Sequence, residues 1–111
     1  MKRTFIAVTM LWISASVVAA PPDGKALYQE NCASCHGQNG KGDTGPKLVG
    51  DASGWKPKLF ERAVLNGIDD QGKSLKSPMP HWSGASFKTD SGVAPSKAEV
   101  DAIQDYLRTL K

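Results

Sequence analysis

The run Cys32-Ala33-Ser34-Cys35-His36 sets two thiols three positions apart and an imidazole directly after the second. That is the C-x-x-C-H pattern of covalent haem attachment, in which the thiols add across two vinyl groups as thioethers and the histidine ligates iron from one face. On a helical turn both thiols fall on one side, so a porphyrin edge is stapled there while His36 is aimed at the metal.

Other uses of these residues fit less well. A thioredoxin-type dithiol belongs in a βαβ setting, and the chain shows almost no period-two alternation. A closed zinc site needs ligands the sequence lacks, because there is no third cysteine and His81 is the one other histidine. A disulfide between Cys32 and Cys35 would close a very small loop and do little for the fold.

Upstream, the chain carries Lys2 and Arg3, then a largely apolar run from Phe5 to Val18 broken by Thr9, Ser14 and Ser16, and then small residues. This reads as a secretory signal over residues 1–20, cut after Ala19 or Ala20, which leaves a domain of residues 21–111. The run is short for a bilayer and has no charged stop after it, so stable membrane insertion is not expected. Export to an oxidising periplasm agrees with haem attachment outside the cytoplasm. Signal removal takes away two basic residues and no acids, lowering the formal charge from +3 to +1. The remaining basic residues, Lys41, Lys47, Lys56 and Lys58 among them, are interleaved with acids, and no block of like charge argues for nucleic acid. A domain of this size is marginal on its own core, and a large apolar cofactor bonded at several points supplies the rest.

Pro21-Pro22-Asp23 reads as a helix start with Asp23 as cap, and the helix runs from Gly24 to Asn31 into the motif. Gly24, Tyr28 and Cys32 share one face, so Gly24 is either a frayed first turn or the contact point for another helix. The stretch from Gly37 to Gly50 is glycine-rich and aperiodic, a loop without Walker or Rossmann spacing. Within it, Gly45-Pro46-Lys47-Leu48 offers a carbonyl to the second ring nitrogen of His36 and Leu48 as packing for a porphyrin, with an ordinary turn as the equal alternative. Pro57 starts a second helix through Asn66, capped by Gly67, with Leu59, Phe60, Ala63 and Val64 on its apolar face. Ile68 to Ser77 is polar and loop-like.

The chain then reaches Pro78-Met79-Pro80-His81-Trp82. Met79 is the one methionine outside the signal, and two prolines fix the backbone around it. Its thioether is a candidate second axial ligand, a choice that raises the reduction potential of haem. The alternatives are core filling by Met79 and ligation by His81, which is otherwise a surface histidine. Trp55 and Trp82 read as core or haem-edge aromatics whose indole N–H could reach a propionate. Gly84 to Pro95 is a second long loop with Phe87 as its large apolar group. Ser96-Lys97-Ala98-Glu99 forms a capping box, and a final helix runs to the chain end with Val100, Ile103, Leu107 and Leu110 as its buried stripe. Arg108 and Lys111 near its end suit the helix dipole. The natural partner of that stripe is the Gly24/Tyr28 face, so the first and last helices are expected to cross at Gly24.

Taken together, the helix entering Cys32-x-x-Cys35-His36-Gly37, the Gly45-Pro46-x-Leu48 segment, the Met79-Pro80 pair and the last helix with Tyr106-Leu107 resemble the class I c-type cytochromes, over nearly all of the chain from Asp23 onward. The resemblance implies an all-α domain of helices wrapped around one covalently bound haem c, with the N- and C-terminal helices crossing. It implies that Cys32 and Cys35 carry the thioethers, His36 is the proximal and Met79 the distal ligand, and the Pro46 carbonyl orients His36. It also implies an exposed haem edge through which electrons pass. The loop from Gly84 to Pro95 is longer than a minimal link and is a departure from the family pattern.

The function expected is that of a monomeric one-electron carrier between periplasmic or membrane-bound redox proteins. A dehydrogenase or reductase would donate, and an oxidase or reductase would accept, through a small transient interface. Iron closed by two ligands cycles without binding substrate, and no acid/base pair or activated nucleophile accompanies it, so an enzyme is not expected. The rivals are a haem enzyme or small-ligand sensor with displaceable Met79, a cytochrome subunit docked permanently on one dehydrogenase, and a haem-free dithiol oxidoreductase.

Overall fold

The computed structural model describes residues 3–12 and 20–111. Much of the expected signal, residues 1–2 and 13–19 with the Ala19 side of the cut, lies outside the described residues. Residues 3–12 have no regular secondary structure. Phe5, Leu11 and Trp12 are 90%, 81% and 87% exposed, so the core is assembled without them. Among the described residues no helix is long and apolar enough to cross a membrane.

The helices α1 (Gly24–Asn31), α2 (Ala33–His36), α3 (Pro57–Asn66) and α4 (Lys97–Thr109) make up the domain with two short 3₁₀ turns, Ala52–Gly54 and Trp82–Gly84. No strand forms among the described residues; Ile68 and Ser74 make an isolated bridge pair. Each helix end has a local cause. Asp23 Oδ1 accepts from the Ala26 N–H at 3.2 Å and caps α1. Pro57 opens α3, where its missing N–H removes nothing the helix would use. Gly67 closes α3 in the left-handed conformation at φ 68° and ψ 34°. At α4 the capping box is complete, with Ser96 Oγ accepting from the Glu99 N–H at 3.1 Å and Glu99 Oε1 accepting from the Ser96 N–H at 3.0 Å. α4 stops at Thr109, short of the expected chain end, and Leu110 packs part-buried from the capping position.

α1 crosses α4 at Gly24, where a Cβ would sit 1.9 Å from the Ala102 carbonyl oxygen. The glycine is therefore a contact point and not a frayed turn. Around the crossing, Leu27, Tyr28, Val100, Ile103 and Leu107 are buried with Phe60 and Val64 of α3. The long loop before α4 joins the same core through Phe87, which meets the Trp82 ring edge-on with centroids 4.9 Å apart. Its next residue, Lys88, donates its N–H to Asn31 Oδ1 at 3.0 Å, pinning the loop to the end of α1.

Gln104 lies inside the apolar stripe of α4 and is only 1% exposed. Its Nε2 donates toward the carbonyls of Ala52, Ser53 and Trp55 at 3.3, 3.4 and 2.8 Å. Arg108 adds Nε to the Ser53 carbonyl at 2.7 Å and Nη2 to the Trp55 carbonyl at 2.9 Å. Arg108 thus stands in the last turn of α4, as the dipole reading expects, and its guanidinium also reaches across to the 52–55 turn.

Candidate haem-binding site

Cys32 is at once the C-cap of α1 and the N-cap of α2. Its carbonyl accepts the N–H groups of Cys35 and His36 at 3.2 and 3.0 Å, so the motif folds as one helical turn. His36 ends that turn and is buried. Its Nδ1 lies 2.8 Å from the Pro46 carbonyl oxygen. A carbonyl can only accept, so Nδ1 carries the ring proton and the lone pair remains on Nε2, the tautomer a metal requires.

The loop that brings Pro46 back is held along its length. The Gly42 N–H donates to the His36 carbonyl at 2.8 Å, the Gly45 N–H to the Cys35 carbonyl at 2.7 Å, and the Leu48 N–H to the Gly40 carbonyl at 2.9 Å. Gly45 runs so close to the imidazole that a Cβ there would be 3.0 Å from His36 Cε1 and 3.1 Å from the Cys35 carbonyl oxygen. The glycines serve this return of the chain and not a phosphate. From the other side, the Tyr28 hydroxyl donates to the Gly37 carbonyl. Burial pushes the Tyr28 phenol up to about 12, with the neighbouring Cys32 thiol adding to the shift.

Cys32 and Cys35 are both free, Cys32 part-buried and Cys35 exposed. Burial, and then the neighbouring Cys35, pushes the Cys32 thiol up to about 12. A redox-active dithiol depends on the opposite shift, a lowered thiol pKa that supplies thiolate at neutral pH. Among the described residues no group of three or more His, Cys, Asp or Glu side chains is arranged to hold a metal ion, so the zinc alternative finds no further ligands there.

Met79, Leu48, Trp55 and Trp82 are all part-buried and packed against the same core as Cys32. Each leaves apolar surface incompletely covered, and the same domain carries two free thiols and a histidine with its Nε2 lone pair available. A flat apolar iron porphyrin fits that set by its chemistry: two thiols for thioethers, an imidazole and a thioether for the metal, and hydrophobic side chains for the ring. His81 is an exposed surface histidine, as the sequence reading has it. Its ring rests on the end of α3, where a Cβ at Gly67 would fall 2.2 Å from His81 Nε2.

Four contacts of this architecture go beyond the sequence reading: His36 against Gly45, His81 against Gly67, and Gln104 and Arg108 on the 52–55 turn. Gln104 did leave a signal, being a polar residue set between Ile103 and Leu107 on an apolar face. The two glycine contacts arise only when the loops fold back.

The cytochrome c family model matches residues 22–111, and the chain belongs to that family. Covalently bound haem c comes with the family, and Cys32 and Cys35 stand in its attachment spacing. The chain is 33% identical over 100 residues to the fructose dehydrogenase cytochrome subunit of Gluconobacter japonicus, covering 85% of this chain and 20% of that protein. It is 32% identical over 97 residues to the cbb3-type cytochrome c oxidase subunit FixP of Azorhizobium caulinodans, covering 82% of this chain and 29% of that one. Cytochrome c-551 of Bacillus subtilis matches at 32% over 57 residues, about half of each chain (51%). Among solved structures, the c-type cytochrome NirC superposes with a TM-score of 0.51 at 27% identity, covering 76% of this chain and 82% of that one. The chain thus spans about a fifth to three tenths of the first two relatives, and the described residues have the helical fold of the family.

Proposed function

We propose that this protein is an exported one-electron carrier. The observation that carries the reading is the Nδ1–H of His36 donated to the Pro46 carbonyl at 2.8 Å, next to two free thiols in attachment register. Bound haem c supplies an iron that alternates between the ferrous and ferric states, one electron at a time. The chain's residues do the rest. Cys32 and Cys35 would hold the group as thioethers, and His36 would ligate through Nε2. The Pro46 carbonyl fixes the ring's orientation and raises its basicity. Leu48 would supply apolar packing for the porphyrin, and the Met79 thioether would be the second protein ligand to iron, a choice that favours the ferrous state.

Residues 1–20 act as the export signal in this reading, consistent with a family match that begins at residue 22. The partners are redox proteins of the periplasm or its membrane, a dehydrogenase or reductase as donor and an oxidase or reductase as acceptor. The match to a dehydrogenase's cytochrome subunit favours one second reading, a subunit docked on such an enzyme, which would co-purify with it.

Replacing Met79 by Ala tests the ligand set. The variant is expected to lower the reduction potential by on the order of a tenth of a volt, within the roughly 0.8 V that axial ligands command. Its reduced form should also bind carbon monoxide, which the native closed iron resists. An unchanged potential, or carbon monoxide binding by the native protein, contradicts the reading.

A further inference from the structure

We propose that His81 is a positioning residue for Met79, its imidazole seated on Gly67 so as to close the loop that presents the thioether. The proposal rests on Met79 as the axial ligand. Gly67 is the point to which this part of the chain returns twice. It ends α3 with its N–H on the Ala63 carbonyl at 3.0 Å, and its own carbonyl accepts the Leu75 N–H at 2.8 Å. The intervening loop turns about Asp69, whose Oδ1 accepts from the Gln71 and Lys73 N–H groups at 2.9 and 2.8 Å and whose carbonyl accepts from Arg62. The chain then leaves through Pro78, Met79 and Pro80 and comes back at His81. There a Cβ on Gly67 would lie 2.2 Å from Nε2 and 2.5 Å from Cδ2 of the ring. Beyond His81 the path is anchored again, by the Gly84 N–H on the His81 carbonyl at 2.9 Å and by the Trp82 ring on Phe87.

The segment from Leu75 to His81 is therefore a loop with both ends on one residue, stiffened inside by two prolines that fix φ. In this proposal a displacement of Met79 is opposed by the contact of the neighbouring His81 ring with Gly67. A side chain at Gly67 is excluded twice, by the ring and by the left-handed backbone at φ 68°. His81 acts through this contact and needs no bond to the metal.

The test uses the mature protein with haem attached, titrated in the ferric state with imidazole as a competing ligand while the far-red band of thioether-ligated iron is recorded. His81→Ala should bind imidazole about ten- to a hundredfold more tightly, the scale on which supporting partners tune a metal ligand, and should lose far-red intensity. His81→Phe, which restores a flat ring on Gly67, should stay close to native. Ser96→Ala, which removes the cap of α4 and weakens the fold elsewhere, should leave the imidazole affinity unchanged. Should His81→Ala fail to yield holoprotein, His81→Gln, which keeps bulk without a ring, is read in the same way. A native band with unaltered imidazole affinity in the His81 variant overturns this proposal alone. A native ferric protein lacking the band overturns Met79 ligation, and this proposal with it.

Discussion

At His36 the tautomer is decided by Pro46, ten residues along the chain, whose carbonyl fixes the proton on Nδ1. The same division of labour holds at Tyr28, which is buried so that its hydroxyl can hold the Gly37 carbonyl just past the motif. Burial keeps the phenol protonated to about pH 12 in the folded protein, whereas the unfolded chain releases that proton near 10. The unfolded state thus binds fewer protons between those values, so this group leaves stability untouched below about pH 10 and erodes it as pH rises towards 12. Tyr28→Phe should lose about 1 kcal/mol at neutral pH from the missing hydrogen bond, yet show a shallower alkaline decline. Denaturant unfolding of the holoprotein on both sides of pH 10 checks it, and parallel declines in the two proteins would refute it. Cys32, Cys35 and His36 were legible in the sequence because their chemistry depends on spacing alone. Pro46 was half legible, since a stiff loop offers several carbonyls. Gly45 was not, because what it makes room for is the His36 ring, nine residues back and outside any local pattern.

Between elements, the fold turns on two contacts of α4. The crossing at Gly24 leaves no space for a methyl group, with the Ala102 carbonyl 1.9 Å from where a Cβ would be. Gly24→Ala should therefore force the helices apart at a cost of about 1–3 kcal/mol, despite alanine's better helix propensity. An unchanged midpoint in denaturant would mean that α1 and α4 do not meet there. The second contact is the pair Gln104 and Arg108 on the Ser53 and Trp55 carbonyls. Either donor alone leaves those carbonyls partnered, so Gln104→Leu and Arg108→Ala should each cost about 1 kcal/mol. Together they strand both acceptors, and the double variant should exceed the sum by about 1 kcal/mol. Strict additivity would show that the two side chains do not share the turn. The helices themselves were legible from caps and stripes, down to the capping box at Ser96. The clamp was not, because an arginine near a helix end satisfies the dipole rule equally well whether or not it reaches across to another segment.

For the whole molecule, helices of modest length enclose a small core and leave Leu48, Trp55, Met79 and Trp82 only part-covered. A bound porphyrin makes up that apolar surface, so holoprotein and apoprotein should differ greatly in stability. The all-α class followed from the sequence because caps and apolar stripes mark the helices and the attachment motif marks the family. The shape of the long loop before α4 did not, since its docking depends on Asn31 receiving the Lys88 N–H from far along the chain. The most direct measurement is the absorption spectrum of the purified mature protein, ferric and ferrous, native and denatured, after expression with haem-attachment machinery. The account predicts haem retained through denaturation and, in the native ferric state, the weak far-red band of thioether ligation. A protein with two titratable free thiols and no visible absorption would contradict it.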